Sequence, residues 1–145
     1  MFHNNFMQSA IIMAEQAFLA DEVPIGAVIV APSNKEIISS AFNLVETKKN
    51  PTAHAEMLVI QQACEILSNK SLEGLDLYVT LQPCAMCIQA IIYAKIKRLY
   101  FGAYDPDVKI NLALTNHKIE IYGGIEEAKC KALLNQFFVT KRDKK

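Results

Sequence analysis

Two short stretches concentrate the residues that could do chemistry. His54-Ala55-Glu56 stands near the front of "NPTAHAEMLVIQQAC" (50–64), which reads as an amphipathic helix. Residues i and i+2 point about 200° apart on a helix, so His54 and Glu56 cannot share a site on its side. They can share one at its end, beside unpaired backbone N–H groups and the positive pole of the dipole. The second stretch, "TLQPCAMCIQA" (80–90), carries Cys84 and Cys87 where a strand hands over to a helix. Residues i and i+3 face the same way, so the two thiols converge on one point. Pro83 suits a helix entrance, where its missing N–H would be unpaired anyway, and a helix N-terminus is expected to lower a thiol's pKa. Two such helix starts can meet over the carboxyl ends of a sheet, the edge where α/β folds place their chemistry.

One nitrogen and two sulfurs make three zinc ligands: His54, Cys84 and Cys87. Catalytic zinc keeps three protein ligands and an open fourth position for water. Glu56 is left over beside the site, the natural proton carrier for that water. A CxxC pair at a helix start also occurs in redox proteins, but that reading gives His54 and Glu56 no part. A structural zinc site needs a fourth ligand, and His3, His117, Cys64 and Cys130 all lie far from the cluster in sequence, without ligand-like spacing. Catalytic zinc accounts for both motifs together. Cys64 and Cys130 fall on apolar helical faces and read as core residues; His3 and His117 read as surface histidines.

The elements that must position these groups follow from periodicity and punctuation. Residues 5–20 carry apolar positions at Phe6, Ala10, Met13, Ala14, Ala17 and Phe18, a helical period. "PIGAVIVA" (24–31) and "EIISSAF" (36–42), joined by "PSNK", predict a hairpin. A polar loop from Asn43 to Ala53 leads to the helix that starts at His54. Strands are expected at 76–82, 98–102 and 117–123, and helices at 84–96 and 125–142. The order α-β-β-α-β-α-β-β-α predicts a three-layer α/β/α sandwich around a five-stranded mixed sheet, with the third and fourth strands parallel.

With 145 residues and no repeat or low-complexity linker, the chain reads as a single domain over 1–145. Its 52% apolar content supplies a core, and its 15 basic and 15 acidic residues cancel, which argues against a general, strongly basic nucleic-acid binder. The tail "KRDKK" (141–145) reads from composition as a frayed, solvated terminus. No signal peptide and no membrane-length apolar run is visible, so a soluble, cytoplasmic protein is expected, and in that compartment four cysteines are poor disulfide candidates.

The motifs resemble those of the zinc-dependent nucleobase deaminases, the cytidine deaminase-like superfamily, whose signature is H-x-E followed by P-C-x-x-C. "HAE" and "PCAMC" match it. Within that superfamily the chain is most similar to the bacterial tRNA-specific adenosine deaminase branch, through "DEVPIGAVIV", "FN", "NPTAHAEML", "LYVTLQPCAMC", "RLYFGAYDPD" and "GGIEEAKCKALLNQFF", which span nearly the whole chain. The resemblance implies one Zn2+ per subunit on His54, Cys84 and Cys87, with Glu56 shuttling protons. It implies that Asn43 hydrogen-bonds the flipped nucleotide, where the residue alone reads equally as a turn former. It implies that Pro24, Ile25 and the backbone at Ala55 wall the base pocket. Activity would be conversion of adenosine to inosine at the wobble position of tRNA by a homodimer, with the basic tail a phosphate contact.

The chain departs from the branch pattern twice: Gln82 stands where a Glu usually precedes the Pro-Cys pair, and the segment after Asp105 is short. The second departure keeps a free-base or nucleoside deaminase (cytosine, guanine) open as the alternative. A non-catalytic zinc-containing nucleic-acid-binding protein is a further alternative.

Overall fold

The computed structural model describes residues 2–108 and 119–143. Five strands form one sheet in the order β2-β1-β3-β4-β5. They are β1 (Gly26–Ala31), β2 (Glu36–Phe42), β3 (Asp76–Leu81), β4 (Arg98–Ala103) and β5 (Glu120–Tyr122). β1 runs antiparallel to both β2 and β3, whereas β3–β4 and β4–β5 are parallel. The helices are α1 (Phe2–Leu19), α2 (Val45–Lys48), α3 (Ala55–Leu67), α4 (Ala85–Tyr93) and α5 (Glu127–Asp143).

Alternation along the strands divides the core into two layers. Ala27, Ile29, Leu77, Val79, Leu99 and Phe101 pack with Ala55, Val59 and Ala63 of α3 and Ile91 of α4. The residues between them, Val28, Val30, Tyr78 and Tyr100, face the other way, onto Met7, Ala10 and Ile11 of α1 and Cys130 and Leu134 of α5. The expected mixed sheet between two helical layers is therefore the observed one. At Gly26 the first helix presses directly on the sheet: a Cβ there would stand 2.1 Å from the Ala10 carbonyl oxygen and 2.4 Å from the Ala14 nitrogen.

Several boundaries differ from the sequence reading. Pro24 and Ile25 precede β1 instead of opening it, and the turn is closed locally by the Ile25 N–H donating to the Val23 carbonyl, at 2.8 Å. α4 stops at Tyr93, short of 96, because Lys95 takes a left-handed conformation (φ 64°) that ends the helix. Of the fifth strand expected at 117–123, only 120–122 pair; 117 and 118 lie outside the described residues. The loop from Asn43 to Ala53 contains the one-turn helix α2, which is too short to show a period in the sequence.

Candidate metal and active site

His54 and Cys84 occupy equivalent places. Each is the residue just before a helix, with extended backbone (φ −72°, ψ 151° and φ −72°, ψ 173°), and neither spends its side chain on capping. Their side chains therefore remain free for the space over the two helix starts. Cys87 lies in the first turn of α4, and Glu56 in the first turn of α3. His54 Nδ1 stands 3.7 Å from Cys84 Sγ and 3.5 Å from Cys87 Sγ, and all three donor atoms lie within 4.8 Å of one another. Tetrahedral zinc at about 2.05 Å from nitrogen and 2.3 Å from sulfur would hold its donors roughly 3.6 Å apart. The spacing of these donors fits that ion, and among the described residues this is the group of His, Cys and acidic side chains able to hold a metal.

Glu56 is only 4% exposed. Burial pushes its carboxyl up to about 7, against smaller lowering effects from its own backbone amide and from the Cys87 thiol. A group poised there exchanges a proton near neutral pH, although a bound dication would draw it down. The expectation that a helix start lowers the thiols is not met at Cys87: burial, together with the neighbouring Glu56 and Cys84, raises it. Its deprotonation is then coupled to the arrival of a cation.

The remaining expected residues have the following places in the fold. Asn43 is buried, its N–H donates to the Ile25 carbonyl (3.0 Å), and its side-chain amide makes no hydrogen bond to another described residue. A buried amide with no partner among the described residues is equipped for a ligand. Pro24 is buried and Ile25 half-buried, on the segment that this bond ties to Asn43, and Ala55 is fully buried beside His54. Gln82 fastens the other side: its Oε1 accepts the Asp105 N–H (3.0 Å), and Asp105 Oδ1 in turn accepts the Asp107 N–H (3.0 Å). A carboxylate could accept the same bond, so the amide keeps the anchor and removes a charge.

Cys130 is buried in the core layer under α1 and α5, and Cys64 packs half-buried against the opposite layer, as expected. The expectations for His3 and His117 fall on side chains outside those described, as do Lys144 and Lys145 of the tail. Lys141 of that tail pairs with Asp21 at 2.6 Å. The role of one further residue, Glu22, has no signal in the sequence. Glu22 is 1% exposed and its carboxylate reaches across to α2. Its partners lie 24 and 25 positions away, beyond the reach of any local pattern.

Comparison with known proteins agrees with this geometry. A family model described as MafB19-like deaminase matches residues 1–142. The tRNA-specific adenosine deaminase of Rickettsia bellii is 45% identical, with 94% of this chain and all of that protein aligned. The Bacillus subtilis protein of the same name is 43% identical over 97% of this chain and 91% of its own length. A solved structure from studies of A-to-I editing by tRNA:A34 deaminases at the wobble position superposes with a TM-score of 0.83 at 40% identity, covering 90% of this chain and 99% of that one.

Proposed function

The chain belongs to the MafB19-like deaminase family, and from that premise we propose that it is a zinc-dependent hydrolytic deaminase converting adenosine to inosine at the wobble position of tRNA. The observation that carries the proposal is the convergence of His54, Cys84 and Cys87 beside a buried carboxyl. The curated relatives that share 43–45% identity with the chain add the substrate.

His54 Nδ1 and the two thiolates would hold one zinc ion per chain. Bound there, zinc supplies the Lewis acidity that makes water nucleophilic near neutral pH. Glu56 takes the proton of the attacking water and passes it to the adenine ring nitrogen. Glu56 then takes the proton of the new C6 hydroxyl and passes it to the amine as the C6–N bond breaks, so that water and adenosine become inosine and ammonia. Asn43 orients the nucleotide through its side-chain amide. Pro24, Ile25 and the Ala55 backbone exclude water around the base. The target base must leave its stack to enter such a pocket, and an anticodon loop permits this at modest cost.

The same reading makes the protein a cytoplasmic homodimer. No helix among the described residues is long and apolar enough to cross a membrane. Ile66 and Leu67 at the end of α3 and Tyr93 at the end of α4 are exposed apolar side chains, Tyr93 at 79%, which supports an interface on this layer. Sedimentation at micromolar concentration tests it: a 16.2 kDa species would refute the dimer.

Ammonia release from an adenosine-containing anticodon stem-loop, compared with free cytosine, guanine and adenosine, tests the substrate. Turnover confined to the stem-loop is expected. Turnover of a free base with an inert stem-loop would replace this reading with the small-molecule deaminase.

A further inference from the structure

The helix α2 lacks a cap of its own. Leu44 precedes it and offers no side-chain acceptor for the N–H groups of the first turn, which normally find one in a Ser, Thr, Asp or Asn at that place. Glu22 supplies it from a distant part of the chain. One carboxylate oxygen accepts the Glu46 N–H (3.0 Å); the other accepts the Thr47 N–H (2.5 Å) and the Thr47 hydroxyl (2.6 Å). These are the two amides that an adjacent capping side chain would serve.

The clamp belongs to a larger frame. Glu22 lies two residues before Pro24, on the segment proposed to wall the pocket. Three residues on, the Ile25 carbonyl accepts the Asn43 N–H, and the Leu44 N–H donates to the Ala53 carbonyl (3.0 Å), which closes the loop back to the neighbour of His54. Packing adds little to this hold: none of the α2 residues is buried. We propose that Glu22 is a positioning residue for the deamination, fixing Asn43 over the base pocket by capping the helix that follows it. This deepens the function proposed above and rests on it.

The test is a double-mutant cycle in which Glu22→Gln and Asn43→Ala are made singly and together. Gln keeps one carbonyl acceptor and turns an NH2 toward the remaining donors. Misplacement of a positioning group by about 1 Å costs on the order of 100-fold, so kcat/KM on the stem-loop should fall roughly 10- to 100-fold in Glu22→Gln with zinc content unchanged. In the Asn43→Ala background the further loss should be about twofold or less, because the group being positioned is already gone. Equal losses in both backgrounds would overturn the proposal and leave Glu22 a purely structural residue. Should Glu22→Gln fail to fold, Thr47→Val, which removes only the hydroxyl contact, must show a smaller loss with the same non-additivity. If the wild-type protein does not turn over the stem-loop, the substrate reading fails by itself. The clamp is then read from amide exchange at Glu46 and Thr47: faster exchange in Glu22→Gln supports it, and unchanged exchange overturns it.

Discussion

Replacing Glu56 by Gln separates what the carboxyl does for catalysis from what it does to the fold. The residue is 4% exposed, and its carboxyl is raised from 4.5 to about 7, chiefly by burial. At 1.36 kcal/mol per pH unit, ionising it inside the metal-free fold costs about 3 kcal/mol more than in the unfolded chain. Below pH 4.5 the group is protonated in both states and the cost is absent. Above 7 it is ionised in both and the full cost falls on the native state. The Gln variant, stripped of metal, should therefore be more stable than wild type at pH 8, by up to about 3 kcal/mol, and indistinguishable at pH 4. The zinc-loaded variant should bind the ion and lose turnover by about 10²–10⁴, the range general acid–base catalysis contributes. Urea unfolding at the two pH values, with metal analysis and single-turnover kinetics, reads all three quantities. A variant no more stable than wild type at pH 8 would contradict the desolvated carboxyl, and one with normal turnover would remove Glu56 from the mechanism.

Cys87→Ser should reduce zinc from one per chain to a small fraction, measured by elemental analysis after dialysis, because a buried hydroxyl cannot replace the thiolate. Asn43→Ala should keep zinc and fold but lower kcat/KM for the stem-loop by about 10- to 100-fold, the worth of one or two hydrogen bonds to a buried ligand group. Gly26→Ala should lower stability by about 3 kcal/mol or more in denaturant titration, since the new methyl meets backbone atoms of α1 that cannot move aside. Burial alone would raise the Glu22 carboxyl, but the bonds from the Thr47 hydroxyl and the Glu46 and Thr47 amides outweigh it and hold the group below its ordinary range. The stability it contributes is complete above about pH 4.5 and is lost as pH falls through the lower folded value, so wild type and Glu22→Gln should converge in acid.

The cluster able to hold a metal was legible in the sequence because its parts are local. Histidine and glutamate two apart, and cysteines three apart, each sit at one helix start, so residue type and spacing carry the geometry. The sheet was legible for a similar reason: alternating runs such as "GAVIVA" and "DLYVTL" give strands, and the helix between β3 and β4 makes them parallel. What was hidden depends on distant partners. The Glu22 clamp joins positions 24 and 25 apart, and the Gly26 N–H finds its acceptor on Thr80, 54 positions away (3.1 Å). The raised thiol of Cys87 was missed because the helix start is a local property, whereas the burial that outweighs it is set by the packed sheet and by Glu56. Gln82 was visible as a changed residue, yet its bond to the Asp105 amide appears only once β3 and β4 lie side by side.

The central claim is that this site deaminates a wobble adenosine. The most direct measurement is nucleoside analysis of an adenosine-containing anticodon stem-loop after incubation with zinc-loaded protein, with a second stem-loop carrying its only loop adenosine away from the wobble position. The account predicts inosine in the first, none in the second, and none in either with Glu56→Gln. Absence of inosine from the first stem-loop, with one zinc per chain confirmed, would contradict it.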